Sequence, residues 1–239
     1  MACGKPIERT ASIGGRLTRY ELHRSPRRRK NITLAIDDGR MRVLAPGRTP
    51  LRQIDEIVQA RADWIEQRLA APPPARLRDQ LRPGGSLPLL GQRYPVVNGP
   101  RAFRFHDDPA SDASRHFSLN PYAANVVESA EAWFRQEART KIGDQVAHWA
   151  PTIRVEPTRI QIRDQKTRWG SASAKGTLSF NWRLIFAPPE IIDYVVVHEL
   201  CHLRQPDHSR AYWRLVESVM PDAQIHRRRL REIGRTLAW

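Results

Sequence analysis

Residues 191–203 read Ile-Ile-Asp-Tyr-Val-Val-Val-His-Glu-Leu-Cys-His-Leu, an apolar run that contains the pattern H-E-x-x-H. Pro188-Pro189-Glu190 comes just before it, and proline followed by glutamate is typical of a helix start. In a helix, His198 and His202 lie on one face about one turn apart, where both imidazoles can bind one metal ion. Glu199 would then reach a water molecule on that ion. Two unpaired core histidines are the less favourable interpretation, because burying them costs desolvation energy.

A metal-activated water needs a third protein ligand and an open fourth position. His208 lies six residues after His202, and Pro206 and Asp207 can end the helix and turn the chain back. This is the spacing found in metzincins, although neither their glycine nor their Met turn is present. We predict His208 as the third ligand. Glu217 on a following helix, Asp207, or a two-ligand site remain the alternatives.

Composition limits the class of protein. The 239 residues include 40 Lys and Arg against 25 Asp and Glu, a net charge of +15, and 40% are hydrophobic. These values indicate a folded, basic protein, and no apolar stretch predicts secretion or a membrane span. Only two cysteines occur, Cys3 and Cys201, so we expect a reducing, cytoplasmic location, with Cys201 in the core.

The net charge favours anionic partners, and the basic run at 226–231 makes nucleic acid one candidate. The competing interpretation is a helix whose apolar side chains dock on the core while its arginines face solvent. Ile225, Leu230, Ile233 and Leu237 have the spacing for that docking face. Charge alone does not decide between the two interpretations.

Periodicity divides the chain near residue 120. Residues 1–120 are predicted to be β-rich with one helix at 51–69, and residues 121–239 form a helical, metal-binding half. We expect strands at 16–22, 31–36, 40–44, 86–90, 94–97, 103–105, 116–119, 159–163 and 177–184. A long helix from 126 should end at Pro151, and residues 164–176 read as a polar loop. The predicted class is therefore α+β, with the β-rich region packed on the metal-binding half.

Four segments together resemble the YgjP-like metallopeptidase family of bacteria, relatives of the SprT and WLM proteases. They are residues 166–171 (KTRWGS), 178–184 (LSFNWRL), 198–203 (HELCHL) and 207–213 (DHSRAYW). The resemblance covers most of the chain and implies a zincin-like fold in which 1–120 belongs to the same family domain as the catalytic region 121–239. It also implies His198, His202 and His208 as metal ligands and Glu199 as the catalytic carboxylate. Ala172 departs from the family, which has a cysteine there.

The expected reaction is hydrolysis by metal-activated water with Glu199 as general base. We predict one Zn²⁺, with another divalent metal as the alternative, and a peptide or protein substrate. Because some relatives are described as nucleotide pyrophosphatases acting on UTP, a nucleoside triphosphate is the second candidate substrate. A DNA-associated, SprT-like protease and a non-catalytic nucleic-acid-binding protein are further alternatives.

Side chains near the motif in sequence are candidates for substrate contact. The basic residues among them could bind a triphosphate while tryptophans stack a base, or Arg168 or Tyr212 could stabilise the oxyanion of peptide hydrolysis. Asn181 would position the substrate backbone or satisfy a buried loop. The plainer interpretation places the tryptophans in the core and the arginines in solvent. The candidates are Lys166, Arg168, Trp169, Asn181, Trp182, Arg183 and Tyr212.

Overall fold

The computed structural model describes residues 6–26, 28, 30–37, 39–70, 76–107, 114–234, 236–237 and 239. Cys3 lies outside these residues. They form two compact units, Met1–Pro74 and Ala75–Trp239. The change from strands to helices that the sequence predicts near residue 120 lies inside the second unit.

The first unit is built on a four-stranded sheet of β1 (Ile7–Ile13), β2 (Arg16–Ser25), β3 (Thr33–Asp37) and β4 (Arg40–Pro46). The strand order is β1-β2-β4-β3, with β2 and β4 parallel and the other pairs antiparallel. Alternate residues of β2 and β4 are buried, as in a sheet with one face on a core. That core includes Tyr20, Leu22, Met41 and Val43.

Two helices stand where the sequence predicts one. The predicted helix at 51–69 is divided into α1 (Leu51–Gln59) and α2 (Ala62–Ala70). At the junction the Arg61 amide donates to Val58 O, three residues back, which is a bond of the 3₁₀ type. The helical hydrogen-bond pattern is interrupted there, so the axes of the two helices can differ in direction. Both helices contact β1, and the break lets Ile54 and Val58 of α1 and Ile65 of α2 be fully buried. A single straight helix follows a twisted sheet less well.

The second unit contains a four-stranded sheet of β5 (Ser86–Leu89), β6 (Gln92–Asn98), β7 (Arg104–His106) and β8 (His116–Leu119). Its order is β5-β6-β8-β7, and β6 and β8 are parallel. Helix α3 (Val126–Ile153) packs aromatic side chains into the same core, where the Phe134 ring lies 5.5 Å from that of Phe117. The helix continues two residues beyond Pro151, its predicted end, and stops at a left-handed Arg154.

A three-stranded sheet and three helices complete this unit. The strands β9 (Arg159–Arg163), β10 (Gly170–Ala172) and β11 (Thr177–Asn181) are ordered β10-β11-β9, so β10 is an edge strand. Helix α4 (Pro189–His202) contacts α3, β10, α5 (Arg210–Val219) and α6 (Ala223–Ile233). The mixed sheets with packed helices confirm the α+β class and are consistent with a zincin-like fold.

Among the described residues, no helix combines the length and the apolar composition needed to cross a bilayer.

Candidate metal centre

Helix α4 carries the H-E-x-x-H motif through the middle of the core. Pro189 opens the helix, and Glu190 in the first turn complements the helix dipole. Most of its side chains are buried, including the three valines before the motif, so packing fixes the rotation of the helix. That rotation presents His198 and His202 on one face, and their ring centroids are 4.9 Å apart.

A short turn after α4 brings His208 back over the same face. Asp207 Oδ1 accepts hydrogen bonds from Gln205 Nε2 at 3.0 Å and from the Ser209 amide at 3.3 Å. Ser209 then caps α5 by accepting from the Tyr212 amide at 3.3 Å. These bonds give the loop a defined shape, and the His208 ring lies 4.6 Å from the His202 ring.

The three imidazoles converge through their Nε2 atoms. His208 Nε2 lies 3.2 Å from His202 Nε2 and 3.3 Å from His198 Nε2. Two nitrogens bound to zinc at about 2.0–2.1 Å in a tetrahedral site are roughly 3.3–3.4 Å apart, so the spacing matches. Within the described part of the chain, these three histidines are the group able to hold a metal ion.

Hydrogen bonds behind two of the rings aim their Nε2 lone pairs into the centre. His202 Nδ1 donates to Gln205 O at 3.1 Å, since a carbonyl oxygen can only accept. The Tyr212 hydroxyl donates to His198 O at 3.1 Å and therefore accepts from His198 Nδ1 at 2.6 Å. His208 Nε2 carries at most one proton, so it cannot donate to both neighbours. The close approach of the three Nε2 atoms is explained by a cation placed among their lone pairs. Three imidazole nitrogens are a donor set that fits a divalent metal.

Two of the three histidines, His198 and His202, have lowered pKa values that favour the neutral imidazole. Burial, with smaller effects from the charges of His202, His208 and Arg227, lowers the pKa of His198 to about 3. Burial likewise lowers the pKa of His202, opposed by its bond to Gln205 O. Neutral imidazole is the form that binds a metal.

Glu199 lies beside this cluster and is 5% exposed. Its carboxylate accepts a hydrogen bond from the Ala172 amide of β10 and lies within the field of Arg168. Burial outweighs both effects and raises the pKa of the Glu199 carboxyl to about 8. The edge strand thus positions the carboxylate through its backbone, so the alanine at position 172 still supplies this contact.

Gly170 provides the space that Glu199 occupies. A Cβ atom on Gly170 would stand 2.5 Å from Glu199 Oε1 and 2.6 Å from its Cγ, closer than atoms approach without a shift. The φ angle of Gly170 is not in the left-handed region, so space rather than backbone conformation requires glycine.

We expect Gly170→Ala to displace the Glu199 carboxylate and to lower kcat/KM by roughly 100-fold, the cost of a displacement of about 1 Å. The three histidines should still bind metal, which metal analysis of the variant would check. Gly143→Ala is the matched control, because a Cβ there meets open space in α3. Equal activity in the two variants would show that the contact with Gly170 does not constrain Glu199.

The sequence-predicted substrate contacts fall into two groups. The first group organises the loop before β10. Asn181 is buried, and its amide donates to Gln165 O at 2.7 Å and to Arg168 O at 3.3 Å. Arg183 hydrogen-bonds Asp164 and lies over the fully buried Trp182 ring, 4.9 Å from its centroid.

The second group consists of Lys166, Arg168, Trp169 and Tyr212, and the charge of Arg168 acts on the Glu199 carboxyl. Lys166 and Arg168 are exposed, and Trp169 is half-buried against the core. Tyr212 is fully buried behind the histidine cluster, with its ring stacked on that of His202 at 4.4 Å and its hydroxyl hydrogen-bonded to His198. Burial raises the pKa of Tyr212 well above its ordinary range, so the phenol stays neutral. Its contacts are those of a residue that orients two of the three histidines.

The alternative ligands are engaged elsewhere. Glu217 accepts a hydrogen bond from Gln224 at 3.0 Å, and Asp207 holds the turn described above. Cys201 is fully buried in the core, as expected, and burial raises the pKa of its thiol to about 11.

The C-terminal basic run lies on α6. Leu230, Ile233 and Leu237 pack against the core, as the docking-helix interpretation predicts, whereas Ile225 is 52% exposed. Arg229 pairs with Glu190 of α4 at 2.5 Å, and Arg227 lies over the Trp213 ring. The sequence did not predict that Gly170 lies against Glu199, that Trp213 lies near His198, or that Arg227 stacks on Trp213. No local pattern links these three residues to the motif.

A cleft of about 380 Å³ opens beside the cluster. His202 and Pro206 line one side, and Ser173, Ala174 and Gly176 of the turn between β10 and β11 line the other. Of the three histidines, His202 lines this cleft and His208 is exposed to solvent.

The chain is similar to one protein family and to solved metallopeptidase zymogens. The profile of the YgjP-like, metallopeptidase domain matches residues 30–233. The metallopeptidase zymogen abylysin of Pyrococcus abyssi is 26% identical over 39% of this chain and 95% of its own, with a TM-score of 0.36. The zymogen jannalysin of Methanocaldococcus jannaschii is 19% identical over 38% and 94%, with a TM-score of 0.35. No curated protein matches significantly. Because the family profile spans most of the chain, the protein belongs to the YgjP-like metallopeptidase family and is a metal-dependent hydrolase.

Proposed function

We propose that this protein is a zinc-dependent peptidase in which His198, His202 and His208 hold one Zn²⁺ and Glu199 is the general base. The observation that carries the proposal is the convergence of three Nε2 atoms beside the Glu199 carboxylate. When bound, a divalent ion supplies Lewis acidity and makes water a stronger acid.

Glu199 moves the proton in the proposed reaction. One of its oxygens accepts a proton from the attacking water as the water oxygen adds to the peptide carbonyl carbon. The carbon–nitrogen bond then breaks, and Glu199 returns the proton to the leaving amine nitrogen. The Ala172 amide holds the carboxylate in place. The charge of a bound divalent ion would favour the ionised form of Glu199 that accepts the proton, and burial favours the protonated form that results.

Tyr212 and Gln205 are positioning residues in this proposal. They fix the tautomers of His198 and His202 through the Nδ1 atoms, so both rings present a lone pair before the metal arrives. Such outer contacts typically contribute 10–100-fold to metal affinity.

The edge strand favours a peptide as the substrate. β10 pairs on one side with β11 and passes Glu199, and an extended peptide can add to such an edge through main-chain hydrogen bonds. The cleft along the β10–β11 turn offers room for it. For a nucleotide, by contrast, Trp182 would have to leave the core and Arg183 would have to leave Asp164.

We expect the zinc-loaded protein to cleave peptides from a mixed library, and chelation to stop cleavage. The same preparation should release no phosphate or pyrophosphate from a panel of nucleoside triphosphates with zinc, magnesium or manganese. Mass spectrometry of the products and a phosphate assay check both statements. Nucleotide hydrolysis that depends on Glu199, without peptide cleavage, would overturn the proposal.

A further inference from the structure

Arg227 of α6 stacks on Trp213, an aromatic side chain next to the metal centre. Its guanidinium carbon is 4.6 Å from the centroid of the Trp213 ring. That ring is in turn 6.1 Å from the His198 ring and 6.0 Å from the exposed His208 ring. A cation is therefore held one side chain away from the proposed ligands.

No anion within the described part of the chain pairs with Arg227, although its neighbour Arg229 pairs with Glu190. Arg227 also makes no hydrogen bond to a described residue, and it is half-buried. The N–H donors of a half-buried guanidinium that no protein anion engages are free to form charge-assisted hydrogen bonds with an anion of a ligand. Stacking on an aromatic ring uses the flat face of the guanidinium but leaves its N–H donors without an acceptor.

Stacking on Trp213 orients the Arg227 guanidinium so that it can bind an anion. An aromatic ring occupies the flat face of a guanidinium and leaves the N–H groups in its plane free to donate. Those donors match the two oxygens of a carboxylate. The stack also reduces the freedom of a long side chain, so less entropy is lost when the anion binds.

The surroundings of Arg227 are basic as well. Trp213 lines a depression of about 460 Å³ together with Arg210, Arg214 and Glu217. The one carboxylate among these residues accepts a hydrogen bond from Gln224.

We infer that Arg227, held on Trp213, binds a carboxylate of the substrate next to the scissile bond, so that the peptidase prefers peptides that carry a carboxylate at this place. The inference rests on the proposed function. A carboxylate at this place belongs either to an Asp or Glu side chain or to the C-terminus of the peptide.

The test compares four versions of one peptide that the zinc-loaded protein cleaves. They carry Glu or Gln beside the cleaved bond, each with a free or an amidated C-terminus. We expect kcat/KM to favour one type of carboxylate by roughly 10- to 100-fold in the natural protein, the range for a charge-assisted pair. The Glu and Gln versions report on the side chain, and the free and amidated versions report on the C-terminus.

In Arg227→Met this preference should fall to within about 2-fold, and Arg227→Lys, which keeps the charge but not the planar fork, should be intermediate. Arg228→Met is the matched control, because it removes the same charge from an exposed position on α6 and should keep the preference. Circular dichroism and zinc content verify that each variant is folded and loaded.

The outcomes separate this inference from the proposed function. Cleavage of all four peptides without preference, or a preference that Arg227→Met retains, overturns the inference and leaves the peptidase assignment standing. Failure of the natural protein to cleave any library peptide overturns the proposed function and the inference together.

Discussion

Glu199→Gln should lower kcat/KM for peptide cleavage by roughly 10²- to 10⁴-fold while zinc content stays unchanged. The amide has nearly the shape of the carboxylate but cannot accept the proton of water at neutral pH. Glu199 is not one of the three residues whose nitrogens converge, so its replacement leaves the proposed ligand set intact. Zinc analysis and steady-state kinetics on the same preparation check both parts.

Glu190→Gln is the matched control for this variant. It makes the same chemical change on the same helix, at a position 40% exposed and paired only with Arg229 at the surface. An exposed ion pair contributes little to stability, so activity should remain. Full activity in Glu199→Gln would remove Glu199 from the mechanism, and loss of zinc would make it a ligand instead.

The catalytic helix could be predicted because all its determinants are local. The proline start, the apolar run and the i, i+4 histidines lie within fifteen consecutive residues, and a helix brings them together without any distant contact. The same is true of the long helix α3, whose buried Phe134, Ala138, Ile142 and Val146 keep a regular spacing. Periodicity is a reliable signal when one face of a regular element packs on the core.

Three features depend on the partners that they pair with or pack against rather than on their own sequence pattern, and the sequence did not predict them. β10 lies within a stretch that reads as a polar loop, and it becomes a strand because β11 pairs with Gly170, Ser171 and Ala172. β1 was likewise missed, since its residues Ile7–Ile13 become a strand by pairing with β2. The break between α1 and α2 follows from packing on a sheet that the helical pattern does not encode.

The candidate site likewise contains features that local sequence predicts and features that only the fold creates. The types and spacing of His198, Glu199 and His202 indicate a metal site directly. The role of Tyr212 behind two rings and the space that Gly170 leaves depend on elements far apart in sequence. Residues that flank the motif in sequence, such as Asn181 and Arg183, instead stabilise the loop that leads into β10.

His208→Ala should release zinc, lowering its affinity by more than the roughly 10–100-fold typical of lost outer contacts. His208 supplies one of three converging nitrogens, and alanine leaves two on α4. Because His208 is exposed, the metal-free variant should unfold near the temperature of the metal-free natural protein. Zinc at 100 times its Kd stabilises a folded protein by about 2.7 kcal/mol, and the variant should lose most of that gain.

Glu217→Ala separates His208 from the carboxylate that could replace it as third ligand. Glu217 lies on α5, where Gln224 engages its carboxylate, so its removal should leave zinc affinity and the zinc-dependent rise in unfolding temperature unchanged. Thermal unfolding with and without zinc measures both variants without needing a substrate. If Glu217→Ala lost the metal and His208→Ala kept it, the chain would bind zinc in the manner of gluzincins. His208 and the turn that carries it would then have no role in metal binding.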